Sequence, residues 1–557
     1  MIILLSTLIL YAVPSDTNLT HAAQLEKAFK YSPSILLKNI PKKKFLKKFY
    51  RQNKYQALWL EDNKLNKEKY TNLFQNIEKD ITLNHKGLIF KNYQNLSKSV
   101  DDNLSSMDYL RMEVKLSLLY HEFLNHTIYG GIEWKNFSQK LYSLKRKRIN
   151  ASWVKATPKF NIQKIMERDD INASIAELTP KKFGYSKLLL ALEKLETLKD
   201  TGAWEELPYF KKLALGSSGD IVLKLRNRLK ASGDYSECEE VNVSVVIAQD
   251  HNQSRDMNLS RDAVFGHCLE NSVKTFQKRH GLLVDGIVGS GTRGSLNISI
   301  EEKIEKIRLN IDRIKWLPRD DQERYLMVNI PEFMLHYIED NEEKQTLRVI
   351  VGDKKHPTPI FSQNISYIVL NPYWKVPEGI VKREIVPAMV KNPNYLRKQG
   401  LVAHRTWNEN SRVIDTSWLY WEDYLYGKKF PYRLMQPPGP RNALGKIKFK
   451  FPNRFSVYLH DTPTRHLFKR TVRAFSHGCV RLSQPRELLE TIAKFNTNID
   501  IRKAKKVLKG KRKKQLDMKN KLRIYLVYLT TNVDKNGQLI FSKDIYKYDK
   551  YQKRRIR

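Results

Sequence analysis

Apolar residues change their spacing near Tyr325, and that change limits the folds open to the chain. From about residue 24 to 205 they recur at helical intervals, as in Leu110, Val114, Leu118 and Leu124, or Leu188, Leu189, Leu192 and Leu195. From Tyr325 the spacing becomes alternation, which predicts strands over Leu326–Ile330, Met334–Glu339, Thr346–Val351 and Tyr367–Leu370. Ile447, Phe449 and Phe451 alternate with Lys446, Lys448 and Lys450, which predicts a strand with one wet face. Leu522–Leu529 and Leu539–Phe541, around the turn Asp534-Lys535-Asn536-Gly537, predict a terminal hairpin. Helices followed by strands describe an α+β multidomain chain. Its 557 residues also exceed what one core can hold.

Between these halves lie two further units. Residues 206–298 hold two amphipathic helices, one with Val222, Leu225 and Leu229, the other with Leu269, Val273 and Phe276. A glycine-punctuated turn, Asp285-Gly286-Ile287-Val288-Gly289-Ser290-Gly291-Thr292, closes the unit. Ile300, Ile304, Ile307, Ile311 and Ile314 then predict a charged linker helix over 299–320, a strut ended by Trp316-Leu317-Pro318.

At the N-terminus Ile2–Val13 is an apolar run of about twelve residues, short of the roughly twenty that span a bilayer. It suits a signal peptide over 1–23, with small residues at His21-Ala22-Ala23, although Met1 supplies no basic leader. No later stretch is apolar enough to be a stable membrane span. The net charge of +41 fits a polyanionic partner or simply a solvated lysine-rich surface. No zinc-finger spacing, RNP aromatics or Walker loop supports nucleic acid. Of three cysteines, Cys238 and Cys268 either pair or stay as buried thiols, and Cys479 is left over.

Cys479 belongs to the stretch that carries chemistry, Ser456–Arg481. Alternation through Phe455, Val457 and Leu459 puts Ser456, Tyr458 and His460 on one face of a strand. His460 ends that strand at the turn Asp461-Thr462-Pro463, and Cys479 follows nineteen residues later in Ser476-His477-Gly478-Cys479. A thiol and an imidazole delivered by neighbouring strand ends suit cysteine acyl transfer. Ser483 and Pro485 predict a helix start after the nucleophile. The segment 377–438 interrupts the strands with helical pieces and with Trp407, Trp418, Tyr420, Trp421, Tyr424 and Tyr426, which suit either a substrate lid or a satellite core.

Two resemblances follow. Leu213, Gly216, Gly219 and Val222, with Phe276 through Thr292, resemble the opening and closing motifs of the peptidoglycan-binding module; the polar stretch from Cys238 to about Ser260 is longer than usual. His460, fifteen residues, then Ser476-His477-Gly478-Cys479 resembles the L,D-transpeptidase (YkuD-type) signature. Asn371–Pro377, Pro438–Gly445 and His460–Pro463 are similar to the large YcbB-like subgroup, with its helical scaffold over 24–205 and its β-rich catalytic domain over 321–545. A basic tail over 546–557 remains.

The resemblance implies catalytic roles for five residues. Cys479 is the nucleophile and His460 its base, oriented by the backbone carbonyl of Asp461 rather than by the Asp461 side chain. Backbone N–H groups around His477, Gly478 and Cys479 receive the oxyanion. It also implies substrate contacts from Arg481, Ser476, Tyr458 and Trp374. The partners implied are peptidoglycan stem peptides and glycan, in a periplasmic location, with no cofactor and no metal. The implied reaction forms 3→3 cross-links through a thioester, releases D-alanine, and leaves the enzyme open to carbapenem acylation. The acceptor stays open: a second stem, a protein lysine or water share the first half-reaction. A metal hydrolase built on His460, Asp461, His477 and Cys479, and a non-catalytic wall-binding protein, are the other readings.

Overall fold

In a computed structural model, residues 20–238 and 261–552 are described, apart from 63, 102, 103 and 157. The apolar leader, most of the long polar stretch after Cys238 and the last residues of the tail lie outside them. His21, Ala22 and Ala23 open a helix capped by Thr20, whose hydroxyl accepts the Ala23 N–H.

The N-terminal half is helical and packs around α1 (Ser106–Tyr129), which is buried on most sides. Its Glu113 is fully buried and accepts from Leu58 N–H (2.8 Å), Trp59 N–H (2.7 Å) and the Tyr50 hydroxyl (2.7 Å). Buried polar groups persist where every partner is supplied, and here one carboxylate ties an irregular loop to the helix. A further helix, α2 (Tyr185–Lys199), turns its leucines toward the centre of the molecule.

The small unit that follows has its own core around Val222, Leu225, Leu269, Val273 and Phe276, from α3 (Asp220–Ala231) and α4 (His267–Arg279). Cys238 and Cys268 form a disulfide with Cα atoms 5.6 Å apart, so the pairing left open by the sequence is made, and Cys479 is free.

The helix expected as a strut, α5 (Ile300–Lys315), is instead buried nearly all round. Its isoleucines pack on α2, while its polar face is consumed by neighbours. Asp312 accepts Gly131 N–H (2.9 Å), Lys315 reaches His126 O (3.1 Å), and Arg313 pairs with Asp549 (2.8 Å). Lys303 meets His280 Nε2 of the small unit (3.0 Å) and lies 4.7 Å from the Phe541 ring centroid. The spacing of isoleucines reveals one apolar face; the partners of the charged face lie far away in sequence and leave no such mark.

Nine strands form the C-terminal sheet: β1 (Arg324–Asn329), β2 (Met334–Glu339), β3 (Glu342–Gly352), β4 (Phe361–Leu370), β5 (Ile447–Lys450), β6 (Leu459–His460), β7 (Ala474–Ser476), β8 (Val480–Leu482) and β9 (Lys514–Val527). Their order is β7-β3-β8-β6-β5-β4-β9-β1-β2, and β2 also pairs with β3, so the sheet closes on itself. Closure removes free edges. Ile447, Phe449, Leu459, Val480 and Leu482 point into its core. Helix α6 (Pro485–Phe495) starts one residue later than expected, with Gln484 rather than Ser483 at the cap.

Two expectations change here, and one of the two readings left open for the insertion is seen. The expected terminal hairpin does not form from 522–529; that segment belongs to β9, between β4 and β1, and Thr531–Val533 pairs with Leu539–Phe541. Tyr546 and Tyr548 are buried in the main core, so the chain stays packed through Gln552 and the tail expected from 546 is not free there. Finally, the insertion builds its own four-stranded sheet and core: Trp421 and Tyr424 are buried in it, while Trp418, Tyr420 and Tyr426 are exposed.

Candidate active site

β6 and β8 are parallel neighbours, with Leu459 opposite Val480 and His460 opposite Arg481. Val480 N–H donates to Tyr458 O (3.1 Å), which extends the register one step and sets Cys479 beside Tyr458. The two-residue period then turns Leu459 and Val480 inward and gathers Tyr458, His460, Cys479 and Arg481 on the other face. Only His460 and Leu459 are regular strand before the turn; Ser456 has φ +57°, and the strand predicted from Phe455 is shorter than expected.

The turn carrying Cys479 is fixed from several sides. Gly478 has φ +109°, a region unfavourable to any residue with a Cβ. Ser476 Oγ accepts Gly478 N–H (3.1 Å) and donates to Cys479 O (2.5 Å). Thr358 Oγ1 donates to Gly478 O (2.9 Å). Ser476 thus holds the turn itself and has both its hydrogen-bonding directions used, so its place is beneath Cys479.

His460 is 4% exposed, and its Nδ1 lies 2.5 Å from Asp461 O. A carbonyl only accepts, so Nδ1 carries the hydrogen and Nε2 presents a lone pair. Burial, then the Arg481 charge, lowers its pKa to about 3, leaving a neutral imidazole. The Asp461 carboxylate is occupied elsewhere, by Thr462 N–H (2.8 Å), Lys446 N–H (2.9 Å) and Arg465 (2.9 Å).

Burial raises the pKa of the Cys479 thiol, and contacts from Tyr458 with the charges of Lys448 and Lys450 oppose the rise. The sulfur's hydrogen-bond partner is Ser456 O (4.0 Å) rather than His460. Bonds of this kind commonly tighten only in a substrate complex. His477 is exposed and does not face the sulfur's partners; its Nε2 pairs with Glu384 of the insertion at 2.6 Å. Glu384 sits in a π-helical stretch, Val381–Ile385.

A cleft of about 250 Å³ lies between insertion and sheet, lined among others by Trp374, Glu384, Arg441, Thr462 and Arg481. Arg481 lines this cleft and hydrogen-bonds Thr464 Oγ1 (3.3 Å), and its Nε is buried without a hydrogen-bond partner. Among the described residues no group of three or more His, Cys, Asp or Glu side chains gathers to hold a metal ion.

Sequence reasoning missed Glu384, Lys448 and Lys450. The lysines of β5 were placed on a wet face, yet Lys448 lies 3.9 Å from the centroid of the Tyr458 ring. The available signal was adjacency: β5 runs into the turn that Asp461 ties down, so its outward face borders the site.

Comparison with known proteins agrees with this architecture. Residues 323–506 match the family model described as "L,D-transpeptidase catalytic domain" (YkuD), residues 44–192 match "Scaffold domain", and residues 218–296 match "Putative peptidoglycan binding domain". A Haemophilus influenzae protein named "Putative L,D-transpeptidase" is 33% identical over 246 residues, 44% of this chain. The match spans about half (48%) of that relative's length. Solved L,D-transpeptidases from Xylanimonas cellulosilytica (14% identity, TM-score 0.17, 57% of this chain and 99% of that one) and Stackebrandtia nassauensis (13%, 0.21, 57% and 94%) are also similar. Residues 323–506 are an L,D-transpeptidase catalytic domain of the YkuD family, joined in one chain to a scaffold domain and a peptidoglycan-binding domain.

Proposed function

We propose that this chain forms 3→3 peptidoglycan cross-links by acyl transfer through Cys479. The observation that carries the reading is the parallel pairing of β6 with β8, which gathers Tyr458, His460, Cys479 and Arg481 on one face, with Arg481 lining the adjacent cleft. In the first half-reaction the S–H proton passes to His460 Nε2 as sulfur attacks the carbonyl carbon of diaminopimelate, the third residue of a tetrapeptide stem. The C–N bond to the terminal D-alanine breaks, its amine takes the proton from His460, and a thioester remains. In the second half an amine of another stem attacks that carbonyl, His460 accepts its proton, and Cys479 departs and is reprotonated.

The supports for each role are local. A neutral His460, held by the Asp461 carbonyl, is in the form a general base requires. Gly478 N–H is already taken by Ser476 Oγ, so the Cys479 N–H is the nearer candidate for the developing oxyanion. Removing such a donor costs about 3–4 kcal/mol of barrier. Arg481 and Trp374 line the same cleft, where Arg481 would meet a stem carboxylate. A wall substrate implies export to the periplasm or cell envelope. Among the described residues no helix is long and apolar enough to cross a membrane.

Intact mass of the full chain incubated with tetrapeptide muropeptides tests this. A thioester adduct on Cys479 with release of D-alanine, followed by a 3→3 dimer, is expected; Cys479→Ala gives neither. Cross-linking by Cys479→Ala, or hydrolysis or protein attachment with no dimer, would overturn the assignment.

A further inference from the structure

Lys448 and Lys450 are not spent on the fold in the way their neighbours are. Lys446, two residues back on the same side, closes onto Leu508 O (2.7 Å). Lys448 and Lys450 instead direct their ammonium groups onto one ring, 3.9 Å and 5.4 Å from the centroid of Tyr458. Tyr458 stands beside Cys479 on the same face of the paired strands β6 and β8. Of the groups acting most strongly on Lys448, Lys450, Lys375 and Lys513 repel it and Cys479 alone attracts. A half-buried lysine without a carboxylate is a costly ornament in a structural role.

We propose that Lys448, seated on the Tyr458 ring with Lys450 beside it, is a positioning residue that stabilises the Cys479 thiolate. The inference rests on the reading of Cys479 as nucleophile and deepens it.

Proton transfer from thiol to His460 makes a thiolate on part-exposed Cys479 and an imidazolium on buried His460. Apart from the thiolate itself, the charged groups acting most strongly on His460 among the described residues are cations, Arg481 and Lys448, and the Asp461 carbonyl supports it. The thiolate must therefore be the stabilised partner. A cation on the face of a phenol ring draws electron density from it, so the Tyr458 hydroxyl becomes a stronger donor to S⁻. Burial, with repulsion from Lys450, brings the Lys448 pKa down to about 8, so the ammonium is still charged at neutral pH. Its charge is poorly screened there, being half out of water.

The test is the rate of Cys479 alkylation by iodoacetamide against pH, on the full chain, for wild type, Lys448→Met, Lys448→Arg and Tyr458→Phe. A lost neighbouring cation raises a thiol pKa by about one unit, so Lys448→Met is expected to alkylate about tenfold more slowly at pH 7. Lys448→Arg keeps the wild-type profile, and Tyr458→Phe shifts it in the same direction as Lys448→Met. A folded Lys448→Met whose profile superimposes on wild type overturns the proposal. If Lys448→Met does not fold, an unshifted Tyr458→Phe profile does the same. Alkylation needs no peptidoglycan, so a shifted profile without muropeptide acylation supports the inference and sinks the cross-linking reading instead.

Discussion

Replacing Gly478 with Ala separates the shape of the nucleophile turn from its chemistry. An added Cβ meets only His356 O and Pro357 O, each at 3.8 Å, which is ordinary contact, so there is room for the methyl group. The cost is therefore conformational: φ of +109° is outside the range an alanine occupies comfortably, worth about 1–3 kcal/mol. The protein should fold, with a denaturation midpoint lowered by that amount. Relief of the strain rotates the peptide that Ser476 Oγ and Thr358 Oγ1 hold, and with it the Cys479 N–H. A displacement of about 1 Å at a reacting centre costs roughly a hundredfold in rate. Single-turnover acylation of Cys479, followed by intact mass, should fall by about that factor while alkylation of the thiol changes little. An unchanged acylation rate in a destabilised Gly478→Ala protein would show that the turn does not position the reaction. A loss well beyond about 3 kcal/mol would show that the contact argument is wrong.

Asp461→Asn should leave acylation nearly unchanged, because a backbone carbonyl orients His460; the weakened bonds to Arg465 and Lys446 N–H should cost about 1–2 kcal/mol in urea unfolding. Burial opposes charge on His336, but Glu332 and Glu343 outweigh it and raise its pKa to about 10. An unfolded histidine titrates near 6.5, so this contribution to stability is complete below about pH 6.5 and lost as pH rises through about 10. Stability measured from pH 6 to 10 should fall in wild type more than in His336→Gln. Reducing the Cys238–Cys268 bridge should add two hydrogens to the intact mass and, with the cysteines 30 positions apart, destabilise that unit by about 3–4 kcal/mol. An unchanged mass on reduction would mean that the pair is not bridged.

What could be read in the chain was local. His460, Asp461-Thr462-Pro463 and Ser476–Cys479 announce a thiol site because the turn, the glycine and the spacing are contiguous. The peptidoglycan-binding motifs are contiguous in the same way, and a family match covers them. What escaped was long-range. The pairing of β3 with β7 and β8, which with the β2–β3 hairpin closes the barrel, and the insertion of β9 between β4 and β1, leave no signature in periodicity. Lysines alternating with isoleucine and phenylalanine read as solvent-facing, since alternation reports only that two faces differ. The ion pair of His477 with Glu384 joins segments ninety-three positions apart and was invisible for the same reason.

The burial of α5 has a consequence for reach. Its flanks touch the scaffold through Gly131 and His126, the binding module through His280, and the catalytic unit through Thr530 and Asp549. A module on a flexible tether samples every separation its linker allows. One keyed into a shared helix does not. The distance from the binding module to Cys479 is then a fixed property of the molecule, as on a caliper locked at one setting. Under the proposed function, that fixed distance would select stems by where they stand along the wall as well as by what they carry.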